Sequence, residues 1–206
     1  MTLASTERRN LAELLHTVGP DAPTCCEGWT TRDLAVHLYL REHRPDAAAG
    51  MFVGPLEGRL KEISESTALE DYDSVVDDWA AGPGFPLKYA DAVMNALENY
   101  VHHEDVRRAQ PDWRPRTFSF SVESEMTNRF KLLGKMLLRK SQVPVIVEPD
   151  GQRRIVFADR HKVADQGDNV VRISGPISEI ILWAFGRPHK DLTISGDVSK
   201  IEKSAL

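Results

Sequence analysis

The apolar residues of this chain change period near Ser141, and that switch constrains the fold more than any single motif. Before it, apolar groups recur at helical spacing. Leu11, Leu14, Leu15 and Val18 mark a helix over residues 5–18, with Gly19 and Pro20 as stop signals. A loop with Pro23, Cys25, Cys26 and Gly28 follows. "WTTRDLAVHLYLREHRP" then opens a second helix, where Thr30 with Asp33 three residues on resembles a capping box and Pro45 ends or bends the run. Residues 56–66 and 71–81 read as shorter helices, closed by "AGPGFP". From Pro86 to about Ala109 a long helix carries the stripe Leu87, Ala90, Val93, Met94, Leu97 and Val101. The two prolines of "QPDWRPR" break the pattern, and another helix near Val122 to Leu138 repeats Met126, Phe130, Leu133 and Leu137. After it the period falls to that of strands. "VPVIVE" and "RRIVFA" flank the turn "PDGQ", and "NVVRIS" and "DLTISG" read as two more strands around a helix at Ile177 to Phe185. The expectation is an α+β chain: a helical domain over 1–141, then a small α/β domain over 142–206.

Composition excludes several classes. At 206 residues and 41% hydrophobic the chain can bury a real core. A net charge of -5 gives no electrostatic footprint for nucleic acid or for an anionic membrane. No apolar run approaches the roughly 20 residues a membrane span needs. The first helix lacks the apolar block of a secretory signal. The two cysteines, Cys25 and Cys26, are neighbours, which gives no disulfide framework and no CxxC pair. A cytoplasmic protein with loop-packing cysteines is the expectation.

"ENYVHHEDVRRA", residues 98–109, concentrates the candidate chemistry. A helix turns about 100° per residue, so groups four apart lie within about 40° of one another. Glu98 and His102 have that spacing, whereas His103 lies about 140° round from Glu98. Asp105, about 20° off Glu98, shares the Glu98–His102 face, as a third ligand or as the acceptor that fixes the His102 tautomer. An open divalent-metal site commonly takes two histidines and one carboxylate, so a second histidine must come from another helix. His37 is the best placed, flanked by Leu34, Leu38 and Tyr39. Spacing alone leaves two readings of it open, a metal ligand or a core histidine bonded to a backbone carbonyl. His16, His43, His161 and His189 read as surface residues. Arg107 and Arg108 read as a solvated helix end or as anchors for a carboxylate. Arg41, one turn beyond His37, could reach a ligand bound at the metal.

These residues also carry a resemblance. "CEGWTTRDLAVHL" resembles the second-helix motif of the DinB/YfiT-like superfamily, in its mycothiol-dependent maleylpyruvate isomerase branch, and "ENYVHHEDVRRA" resembles the later motif of a Glu with a His four residues on. The resemblance implies a DinB-like four-helix bundle with His37, Glu98 and His102 as metal ligands, and Asp105 matches a following acid. "VRISGPISEIILWAFGR" and "LTISGD" are similar to the branch's small C-terminal domain, which is loosely sterol-carrier-like. The family further implies a divalent metal, typically zinc, with nickel or iron also suited to such ligands. It implies mycothiol as cosubstrate, an acidic or electrophilic small-molecule substrate, and S-transferase or isomerase chemistry; it matches no substrate-contacting residue, and Arg41 stands as a thiol or carboxylate contact on its position alone.

Two other classes of function stand beside the metal enzyme. One is a non-catalytic module that binds a small ligand or partner and uses the metal structurally. The other is a metal-free bundle with a satisfied internal histidine. Monomer and homodimer are both compatible with the spacing.

Overall fold

The structure, a computed structural model, describes residues 2–51, 53–83, 88–165, 167 and 169–204, and of residues 88–94 it describes the backbone alone. Pro86 and Leu87, and the side chains of Ala90, Val93 and Met94 in the expected stripe, lie outside that description. The chain divides into two compact units, Met1–Arg114 and Pro115–Leu206.

In the first unit α1 spans Leu3–Val18, α2 Thr31–His43, α3 Pro45–Ala48, α4 Glu57–Ala68, α5 Tyr72–Ala80 and α6 Lys88–Arg108. Capping explains several starts. Thr2 and Ser5 form a capping box on α1, and Thr30 and Asp33 form the expected one on α2, with the Thr30 N–H donating to Asp33 Oδ2 at 2.8 Å. Pro45 takes the first position of α3, where its missing N–H costs nothing.

Four of these helices close a ring. α1 packs on α6 and α5, and α5 packs on α2. α2 and α6 meet through the His37 and His102 rings and the Arg41–Glu98 ion pair. This is the expected four-helix bundle. Its core gathers Leu11, Leu15, Leu34, Leu38, Val76 and Trp79, while Val36, Leu40 and Ile63 bury a smaller cluster under α4.

One polar knot ties all four helices. Arg8 of α1 donates from Nη1 to Glu42 Oε2 at 2.7 Å and from Nη2 to Oε1 at 3.0 Å. Glu42 Oε1 also accepts from Trp79 Nε1 at 3.2 Å and Asn95 Nδ2 at 3.1 Å. Arg8, Glu42 and Asn95 are buried and Trp79 is wholly so, so each polar group depends on the others for satisfaction.

The second unit holds α7 (Phe120–Leu137), β1 (Val145–Pro149), β2 (Ile155–Phe157), β3 (Val171–Gly175), α8 (Ile177–Ala184) and β4 (Thr193–Ser195). The sheet order is β2-β1-β3-β4. β1 and β2 form the expected antiparallel hairpin, β1 and β3 run parallel, and β4 returns antiparallel to β3. α7 and α8 pack on each other and on this sheet. Phe130 and Phe157 meet edge to face at 5.4 Å, and Gly134 lets α7 approach, because a Cβ there would stand 2.6 Å from Phe157 Cζ. The helix expected to close a domain at residue 141 thus belongs with the sheet, and the division falls after Arg114.

Candidate metal centre

The centre lies between α2 and α6 in the first unit, under the loop from Gly19 to Thr30. That loop is tied to its surroundings. Pro23 and Thr30 form an isolated bridge, Thr24 Oγ1 donates to the Trp29 carbonyl at 2.9 Å, and Gly28 adopts the left-handed φ of 76° that a side chain would resist. In the last turn of α6 one carbonyl takes the loop: the Cys25 N–H donates to the Asp105 carbonyl at 2.9 Å. These bonds bring Cys26 and Trp29 to the site.

His102 presents a different environment on each ring nitrogen. On one side Nδ1 lies 3.1 Å from Asp105 Oδ2, and the Cys26 thiol donates to the same oxygen at 3.2 Å. Asp105 is almost wholly buried. A carboxylate can only accept, so with Asp105 ionised this contact places the ring proton on Nδ1 and leaves the Nε2 lone pair toward Glu98. On the other side Nε2 lies 3.6 Å from Glu98 Oε2, and the His37 ring meets the His102 ring edge on at 5.4 Å. Trp29 packs against the far face of His37 at 5.1 Å. Arg41 Nη1 forms an ion pair with that same Glu98 Oε2 at 2.9 Å.

Of the residues singled out in the sequence, Arg41, Glu98, His102 and Asp105 are linked by these contacts, His37 reaches them through its ring alone, and Cys26 joins them. Among the described residues, Cys26, His102 and Asp105 offer ligand atoms within 4.8 Å of one another, a set able to hold a metal ion. The packing role expected for the cysteines misses this contact. It spans 79 positions in the chain, so no local signal announces it.

The rest of "VHHEDVRR" serves the fold. His103 is buried and pairs through Nδ1 with Glu7 Oε2 at 2.8 Å, which links α6 to α1. The reading of Arg107 and Arg108 as a solvated end or as anion anchors gives way to a buried cluster. Both donate to Glu104 at 2.6 Å, Arg108 and Glu104 are buried, and Arg108 lies over the Trp113 ring. His43 is not a surface residue either: it stacks on Tyr39 at 5.0 Å with its Nε2 buried and, among the described residues, unpartnered. His16 lies at the surface, clasped between Asp73 and Asp77 at 2.9 and 3.0 Å, and the Asp73 carboxylate above all raises its pKa.

Comparison with solved structures places the architecture. A mycothiol-dependent maleylpyruvate isomerase superposes with a TM-score of 0.61 at 17% identity, covering 97% of this chain and 93% of that one. The fold is shared. A histidine-to-alanine mutant of that isomerase superposes equally well, at 16% identity. At such identities the likeness speaks for the fold alone. No family model and no curated protein matches the sequence. Among the described residues, no helix is long and apolar enough to cross a membrane.

Proposed function

We propose that this chain is a divalent-metal-dependent enzyme of the thiol-using transferase or isomerase type, with His37, Glu98 and His102 as metal ligands. The observation that carries the reading is the 3.6 Å between Glu98 Oε2 and His102 Nε2. Two ligands bonded at about 2.1 Å to one tetrahedral ion stand about 3.4 Å apart, so this pair fits the bite of such an ion. The donor set of two imidazoles and a carboxylate suits zinc, and also nickel or iron. The metal would supply a lowered thiol pKa, and so a thiolate nucleophile at neutral pH.

The chain's own residues do the rest. Asp105 accepts the Nδ1 proton of His102 and fixes the ring so that Nε2 points at Glu98. Trp29 holds the His37 ring from its other face. Arg41, beside Glu98 and partly exposed, is the cation placed to meet a carboxylate of an acidic substrate. The solved structures of this fold are named as mycothiol-dependent, which supports a low-molecular-weight thiol of that kind as cosubstrate.

The 4.8 Å cluster of Cys26, His102 and Asp105 favours a second reading, a buried structural metal in a ligand-binding module. Cobalt substitution separates the two. On the enzyme reading, a sulfur-to-cobalt charge-transfer band develops only on adding a mycothiol-like thiol. A band present without added thiol assigns the metal to Cys26, and a spectrum that no thiol alters contradicts the thiol-using reading.

A further inference from the structure

Resting on the His37, Glu98 and His102 assignment, we propose that Arg41 and the divalent cation compete for Glu98, so that cation binding hands the Arg41 guanidinium to an anionic ligand. The Glu98 oxygen that Arg41 holds at 2.9 Å is the same Oε2 that faces His102 Nε2 at 3.6 Å. A cation held by Glu98 and His102 would crowd the guanidinium already paired with that carboxylate. Arg41 cannot relieve the clash by losing a proton, because arginine stays charged at any working pH. Turning toward another anion relieves the crowding while keeping its charge paired.

What it turns toward follows from its surroundings. Among the described residues Glu98 is the sole acid paired with Arg41. The buried acids nearby are already engaged: Glu42 by Arg8, Trp79 and Asn95, and Asp105 by His102 and Cys26. The Arg41 side chain is about 20% exposed, so its charge can reach a ligand from solution without crossing the core. The head group is a planar fork matched to a carboxylate. The class of ligand is therefore a small carboxylate, bound beside the cation and only after it. By linkage, the carboxylate must in turn tighten the cation.

The test is a zinc titration against a chromophoric chelator, on full-length protein first stripped of metal. Arg41→Gln should bind zinc at least tenfold more tightly than wild type, and Arg41→Lys, which keeps the charge, should stay near wild type. Benzoate, the probe carboxylate, should tighten zinc several-fold in wild type and leave Arg41→Gln unmoved. The benzoate effect in wild type needs no variant, so it decides the matter if Arg41→Gln does not fold. Equal or weaker zinc binding by Arg41→Gln, or no benzoate effect in wild type, overturns the competition and leaves the ligand assignment standing. Wild type that binds no zinc overturns both.

Discussion

His102 carries the site because its two nitrogens do different work. Nδ1 is committed to Asp105, which leaves Nε2 for Glu98 and whatever binds beside it. Asp105→Asn removes the acceptor charge while keeping the shape. It should weaken metal binding by about 10- to 100-fold, the usual cost of losing such a partner, as read by competition titration. Unchanged affinity would mean that Asp105 does not set the ring. His16 gives a residue-scale pH test away from the site. Its pKa is raised, chiefly by the hydrogen bond it makes to Asp73, so its contribution is complete below the unfolded value near 6.5. That contribution fades as pH rises through the raised value. The clasp is partly solvated and should be worth only about 0.5 kcal/mol. Thermal melts of His16→Gln and wild type should differ at pH 5.5 and converge by pH 8.5. An equal gap at both pH values would contradict the ion pair.

At the scale of elements, two contacts hold the units and neither is written in a local pattern. Glu42 is bonded to α1, α5 and α6 at once. Glu42→Ala strands a buried guanidinium together with the Trp79 and Asn95 donors. It should lose about 3–5 kcal/mol in chemical denaturation, and a loss under 1 kcal/mol would show the knot to be dispensable. Gly134→Ala would push a methyl into Phe157, a ring already packed on Phe130, and should cost about 1–3 kcal/mol. The starts and stops of elements were legible in sequence, because capping boxes such as Thr30–Asp33 and prolines such as Pro45 act within a few residues. Glu42 was not, since "REHRP" reads as a charged surface while its partners lie 34 to 53 positions away. Arg107 and Arg108 misled for the same reason. Charge in a sequence does not say whether the partner is water or a buried acid such as Glu104.

At the scale of the whole chain, the change of hydrophobic period located the α+β order of the fold but not its division. The boundary falls at Arg114 rather than near residue 141 because a stripe such as Met126, Phe130, Leu133 and Leu137 states that a helix is buried on one face, without stating against what. The close approach that Gly134 allows to Phe157 is what seats this helix on the sheet. The candidate site was legible in part. Helical spacing joined Glu98, His102 and Asp105, and the apolar setting of His37 marked it as inward, but the arrival of Cys26 depends on how a loop is tied down. That arrival leaves two candidate ligand sets sharing His102, one completed by His37 and Glu98 and the other by Cys26 and Asp105. Element analysis of purified wild type, His37→Ala and Cys26→Ser distinguishes them directly. Wild type and Cys26→Ser should each carry about one divalent ion per chain, and His37→Ala should carry essentially none. An empty wild type, or a loaded His37→Ala beside an empty Cys26→Ser, would contradict the assignment of the metal to His37, Glu98 and His102.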